Sequence, residues 1–217
     1  MSWSLNEVES LARKATRGAG LNWGLVEEAG KATRWVCAAG WPGLEALAAH
    51  LIQIDGVPHA QVAPDINAPV WTARSGMLCP LATGAVICDL AQDWAKDKTV
   101  QLGQTAYPLL LVPFMVWAAD RSQSGLNLSW NNVDISRVAG ETGVGRTAGS
   151  DLKIAVTESV TLTPADTQAG GILTRSYRAD VAPQAIEILS TFAQRTYAPE
   201  TDESRLSGAG AGLTDND

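Results

Sequence analysis

The residues best suited to chemistry fall near the ends of short apolar segments. Asp89, Asp120, Arg121, Asn131, Asn132, Arg146, Glu158, Arg175 and Arg178 all occur where an apolar run gives way to a turn. Carboxylates and guanidinium groups gathered beside an apolar core can bind a small carboxylate and supply an acid or a base. Within this set, Asp120 and Glu158 are the candidate acid–base residues, and Arg121, Arg146 and Arg175 the candidate substrate ligands. Tyr177 joins them, since it shares one strand face with Arg175 at two-residue spacing. Solvated strand caps and surface ion pairs use the same residue types, so the pattern is compatible with a purely structural role.

A second chemistry is available to thiols. Of the three cysteines, Cys79 precedes Pro80 in a predicted loop, where it is open to solvent, and is the candidate nucleophile; Cys88, in Val-Ile-Cys-Asp-Leu, reads as a buried structural thiol. No sequence motif supplies Cys79 with a histidine partner. His50 and His59 are the only histidines, and their spacing to Cys37, Cys79 and Cys88 matches no zinc motif, so neither a metal nor a cofactor is expected. The Gly143-Val-Gly-Arg-Thr-Ala-Gly149 stretch lacks the Gly-Lys-Ser/Thr of a phosphate-binding loop and any surrounding βαβ unit. It reads as a hairpin loop whose amides and Arg146 could hold an anion.

The elements that must position these residues divide into a helical start, a strand-rich middle and a final helix. Ser4-Leu-Asn-Glu7 is a capping box, and Leu5, Val8, Leu11, Ala12 and Ala15 repeat at helical steps until Gly18 or Gly20. Asn22 caps a second helix, and Trp41-Pro-Gly43 leads into a third over Leu44 to Ile52. Trp3, Trp23, Trp35 and Trp41 crowd this segment, as aromatics do at a junction between layers. Arg13, Lys14 and Arg17 make a small basic edge suited to an acidic partner.

After a turn-rich stretch from Asp55 to Pro69, Val, Ile, Leu and Thr dominate short runs bounded by turn residues. Strands are predicted at Val70–Arg74, Gly84–Leu90, Val100–Gly103, Leu126–Trp130, Val133–Val138, Leu152–Thr163 and Ile172–Arg178, with a turn at Asn131-Asn132. The most apolar run, Thr105 to Asp120, carries no charge between Ala106 and Ala119 and contains Pro108 and Pro113. Its prolines argue against a continuous helix, and it is predicted to be the core strand. Pro183 opens the last helix.

These expectations make an α+β fold: a helical layer over residues 1–54, a mostly antiparallel β-rich core over 68–180, and a helix over 183–197. Residues 1–198 then form one domain, and 199–217 a Gly-rich acidic tail with five acids and one arginine. At 217 residues, 46% hydrophobic and 18% charged, the chain has a globular composition. A net charge of −7 speaks against nucleic acid, and no apolar run reaches the length of a membrane span. The absence of a basic-then-apolar start and the odd cysteine count fit a cytoplasmic protein.

The opening Ser4-Leu-Asn-Glu-Val-Glu-Ser-Leu-Ala-Arg-Lys-Ala15 with Arg17-Gly-Ala-Gly-Leu21, and the closing Ser207-Gly-Ala-Gly-Ala-Gly-Leu-Thr-Asp-Asn-Asp217, resemble an uncharacterised bacterial family of unknown function over the whole chain. The resemblance implies a bacterial cytosolic protein and assigns no catalytic residue. Two functions follow as expectations. One is an enzyme, or a subunit of one, acting on a small polar metabolite by hydrolase or lyase chemistry. The other is a non-catalytic assembly protein, a homo-oligomer or the partner of another protein, that uses its acidic tail.

Overall fold

The computed structural model describes residues 2–93, 98–145 and 149–197. The expected tail from Pro199 and the candidate Arg146 lie outside these residues.

The chain opens with strand β1 (Ser2–Ser4) and helix α1 (Leu5–Gly18). Ser4 and Glu7 form the reciprocal capping box expected from their spacing. Helix α2 (Trp23–Ala38) starts where the Asn22 side chain accepts from the Leu25 amide at 3.0 Å. Helix α3 (Gly43–Ile54) and the single turn α4 (His59–Val62) complete the helical layer, and strand β2 (Val70–Trp71) follows.

Two predicted strands are helices instead. Gly84–Leu90 lies mostly within α5 (Pro80–Asp89), and the apolar Thr105–Asp120 run becomes β4 (Thr105–Ala106), a 3-10 turn (Pro108–Leu111) and helix α6 (Val112–Ser122), after β3 (Val100–Leu102). The reason is where the prolines sit. Pro80, Pro108 and Pro113 each stand in the first turn of their element, where a missing N–H costs nothing. A segment apolar on every side then reads equally as a buried strand or as a helix enclosed by its neighbours. The run is nevertheless the centre of the molecule. Met115 and Val116 of α6 enter a core shared with the sheet, Phe114 enters the core among the helices, and Trp117 packs against both.

The remaining strands are β5 (Leu126–Trp130), β6 (Val133–Val138), β7 (Glu141–Val144), β8 (Val156–Thr157), β9 (Val160–Pro164), β10 (Gly171–Ile172) and β11 (Arg178–Asp180), before helix α7 (Pro183–Gln194). The fold is α+β. Seven strands form one sheet in the order β10-β7-β6-β5-β9-β3-β2, antiparallel throughout except for the parallel β2–β3 pair. Strands β5 and β6 have the predicted limits, and Asn131 turns the chain between them at a φ of 46°. Three other runs are shorter or broken. Val70–Arg74 joins the sheet only at Val70 and Trp71, with Thr72 making a single antiparallel bridge to Asp65; Leu152–Thr163 divides into a 3-10 turn, β8 and β9; of Ile172–Arg178 only the two ends are strand, Ile172 closing β10 and Arg178 opening β11, with an irregular link between them. Strand β11 pairs with β1, so the chain start is tied to residues 178–180. Among the described residues no helix is long and apolar enough to cross a membrane.

Candidate functional site

The predicted acid, base and arginine set does not meet at one place. Asp120, at the end of α6, is held by Arg137 of β6 through two hydrogen bonds of 2.8 and 3.0 Å. This partner was missing from the sequence-derived set; it stands opposite Leu126, the first residue of β5. Glu158 follows Thr157, whose hydroxyl donates to Asn131 beyond the other end of β5, and Glu158 itself accepts from Gln104 at 3.2 Å. The five residues of β5, about 17 Å, therefore separate the two carboxylates.

Arg121 donates to the Cys88 carbonyl at 3.4 Å. The Arg175 guanidinium lies over the Trp35 ring at 5.3 Å, with its pKa lowered by burial and by the nearby Arg137 and Arg34 charges. Tyr177 is 91% exposed. The Asp120–Arg137 pair lines a hollow of about 320 Å³, but there the two charges satisfy each other.

Cys79 is placed differently from expectation. It is the N-cap residue of α5, and its side chain is buried rather than open in a loop. Its backbone is fixed by the Cys79 N–H donating to Val62, and by Leu78, which donates to Gln104 and accepts from Ala106. The imidazole of His50 completes the site, with Nε2 3.1 Å from Cys79 Sγ. His50 projects from the same helix as Leu44, Leu47 and Leu51 and is fully buried with them. Its Nδ1 is buried without a hydrogen-bond partner, and its ring meets Tyr107 edge-on at 5.9 Å.

The electrostatics keep this pair neutral at rest. Burial pushes the Cys79 thiol up to about 11, while hydrogen bonds from the Ala82 and Leu81 backbone N–H groups pull the other way. Burial also holds His50 neutral, taking it from 6.5 down to about 3. What remains is a thiol and an imidazole in contact, at the N-terminus of a ten-residue helix whose amides favour negative charge on sulfur.

The pair lies at the floor of a cavity of about 160 Å³. Gln53, Val57 and Ser75 are exposed around it, and the half-buried Met77 accepts a hydrogen bond from Gln53. The cavity therefore joins two buried reactive groups to solvent-facing side chains. Among the described residues, no group of three or more His, Cys, Asp and Glu side chains gathers in a metal-holding arrangement.

No sequence spacing pairs His50 with Cys79, because 29 residues separate them. The one signal was a histidine set among leucines on the inner face of α3.

Residues 3–77 match the sequence profile of a family described as "Protein of unknown function (DUF3726)". The matched stretch contains the opening motif and His50 and ends two residues before Cys79; the closing Gly-Ala repeat is outside it. No curated protein matches the chain.

Proposed function

We propose that the protein is a cytosolic bacterial enzyme acting on a small metabolite by thiol-dependent acyl transfer or hydrolysis, with Cys79 as the nucleophile and His50 as its base. One observation carries this reading: the 3.1 Å contact of Cys79 Sγ with His50 Nε2 at the floor of a cavity with solvent-facing residues around it. A neutral thiol is a poor nucleophile, and an adjacent base is the usual means of activating it. In this mechanism Cys79 Sγ attacks the carbonyl carbon of an ester, thioester or amide while its proton passes to His50 Nε2. The Leu81 and Ala82 amides favour negative charge on sulfur as the proton leaves. Collapse expels the leaving group, which takes the proton from His50 Nε2 and leaves an acyl-thioester on Cys79. Water, or an amine acceptor, then attacks that thioester with His50 again receiving the proton, and the thiol returns. A cavity of about 160 Å³ limits the acyl group to a few heavy atoms.

The test is acylation by small activated esters, followed by intact-protein mass. Wild type should gain one acyl group at Cys79, Cys79→Ala none, and His50→Leu should react about a hundredfold more slowly, the scale of a lost general base. Equal labelling of wild type and His50→Leu would remove the base from the mechanism.

A non-catalytic accessory role is the second reading, favoured by the groove along α1. Lys14 and Arg17 flank it without a carboxylate partner among the described residues, and Arg17 stacks over Trp23, which is 64% exposed. Such a surface suits an acidic partner, whether a second copy or another protein. Deleting residues 199–217 tests the part proposed for the acidic tail; unchanged native mass and partner binding would count against it.

A further inference from the structure

Another cavity, of about 450 Å³, has Tyr107 in its lining. Its volume falls in the range typical of small-molecule sites. Ala49, Leu109 and Ile154 contribute apolar wall, while Glu45 and Lys153 bring one charge of each sign. Those two charges do not pair with each other. The Lys153 ammonium has no hydrogen-bond or ion-pair partner among the described residues, and Glu45 Oε1 accepts from the Ala182 amide at 3.0 Å, which fixes the carboxylate and leaves its other oxygen uncommitted.

Tyr107 forms part of the wall under backbone strain. Its φ of 40° and ψ of 60° are left-handed, a conformation that disfavours a bulky residue. The position is held by the Tyr107 N–H donating to the Ala155 carbonyl at 2.8 Å and by the Tyr107 carbonyl accepting from Leu110 at 3.0 Å. Strain of this kind persists where the surroundings impose it, and it collects at ligand sites.

We infer that this cavity binds a free α-amino acid with an apolar side chain. The ligand carboxylate meets Lys153, its ammonium meets the uncommitted Glu45 oxygen, and its side chain lies against Ala49, Leu109 and Ile154. A ligand with only one charge leaves the other member unanswered, and an apolar ligand answers neither. The inference goes beyond the thiol reading, because neither Cys79 nor His50 lines this cavity.

Calorimetric titration of the full chain with L-leucine, L-phenylalanine, isocaproate and isoamylamine tests it. Both amino acids should bind, and the two singly charged analogues should bind at least about tenfold more weakly. Lys153→Met and Glu45→Gln should each weaken leucine binding about tenfold or more, the glutamine keeping an acceptor for the Ala182 amide. Ala49→Phe should block binding with circular dichroism and Tm retained, and Cys79→Ala should bind as wild type does. Isocaproate binding as well as leucine, leucine binding unchanged in Lys153→Met, or no heat from either amino acid would overturn the inference. Loss of acylation with intact leucine binding would overturn only the thiol reading.

Discussion

At the scale of residues, the pair His50–Cys79 concentrates the chemistry and also a pH dependence. Burial keeps His50 unprotonated in the folded chain, with its pKa near 3 against an ordinary 6.5. Its contribution to stability is therefore full above pH 6.5 and is lost as pH falls from 6.5 toward 3, because only the unfolded chain takes up the proton. Thermal melts across that interval should show wild type losing stability more steeply than His50→Leu, by on the order of a few kcal/mol; parallel curves would show that His50 does not carry the effect. The thiols act at the other extreme. Burial raises Cys37 and Cys79 to about 11 and Cys88 to about 12, from 9.0. Their contribution holds below pH 9 and fades as pH rises through these values. Alkaline melts of single Cys→Ala variants should accordingly be flatter than wild type.

At the scale of elements, the close approach of α5 and α6 depends on one missing side chain. A Cβ at Gly84 would clash with the ring of Phe114, which is itself fully buried. Alanine normally strengthens a helix by about 1 kcal/mol over glycine. Here overpacking should win, and Gly84→Ala is expected to destabilise the protein by about 1–3 kcal/mol in urea unfolding; a stabilised variant would mean the two helices can separate cheaply. The same change at the first helix acts through its cap. Ser4→Ala removes the acceptor for the Glu7 amide, at a cost of about 1 kcal/mol, read from the same denaturant midpoint.

At the scale of the whole molecule, α6 joins the two cores. Met115 faces the sheet-side cluster, Phe114 the helical one, and Trp117 touches both. Separate unfolding of either cluster would expose apolar faces of this shared helix. Far-UV and near-UV circular dichroism should therefore melt at one midpoint. Two separated midpoints would show that α6 does not couple the layers.

Much of the fold was legible in the sequence, because local rules act over a few residues. The capping box at Ser4 and Glu7, the Asn22 cap, the hairpin limits around Asn131 and the proline start of α7 all depend on neighbours within one turn. The central position of the 105–120 run was also legible, since a chain of that length without charge must be buried. Its form was not, because an apolar run enclosed on all sides has no periodicity to separate helix from strand. The site was less legible still. Cys79 was visible as a nucleophile type, but its burial and its histidine were not. Only the packing of α3 against the start of α5 brings together side chains 29 residues apart and removes water from both. Conversely, Asp120 and Glu158 looked alike at their respective turns, and the length of β5 holds them apart. Sequence determined which groups could react; tertiary structure decided which of them meet, since meeting is a property of long-range packing.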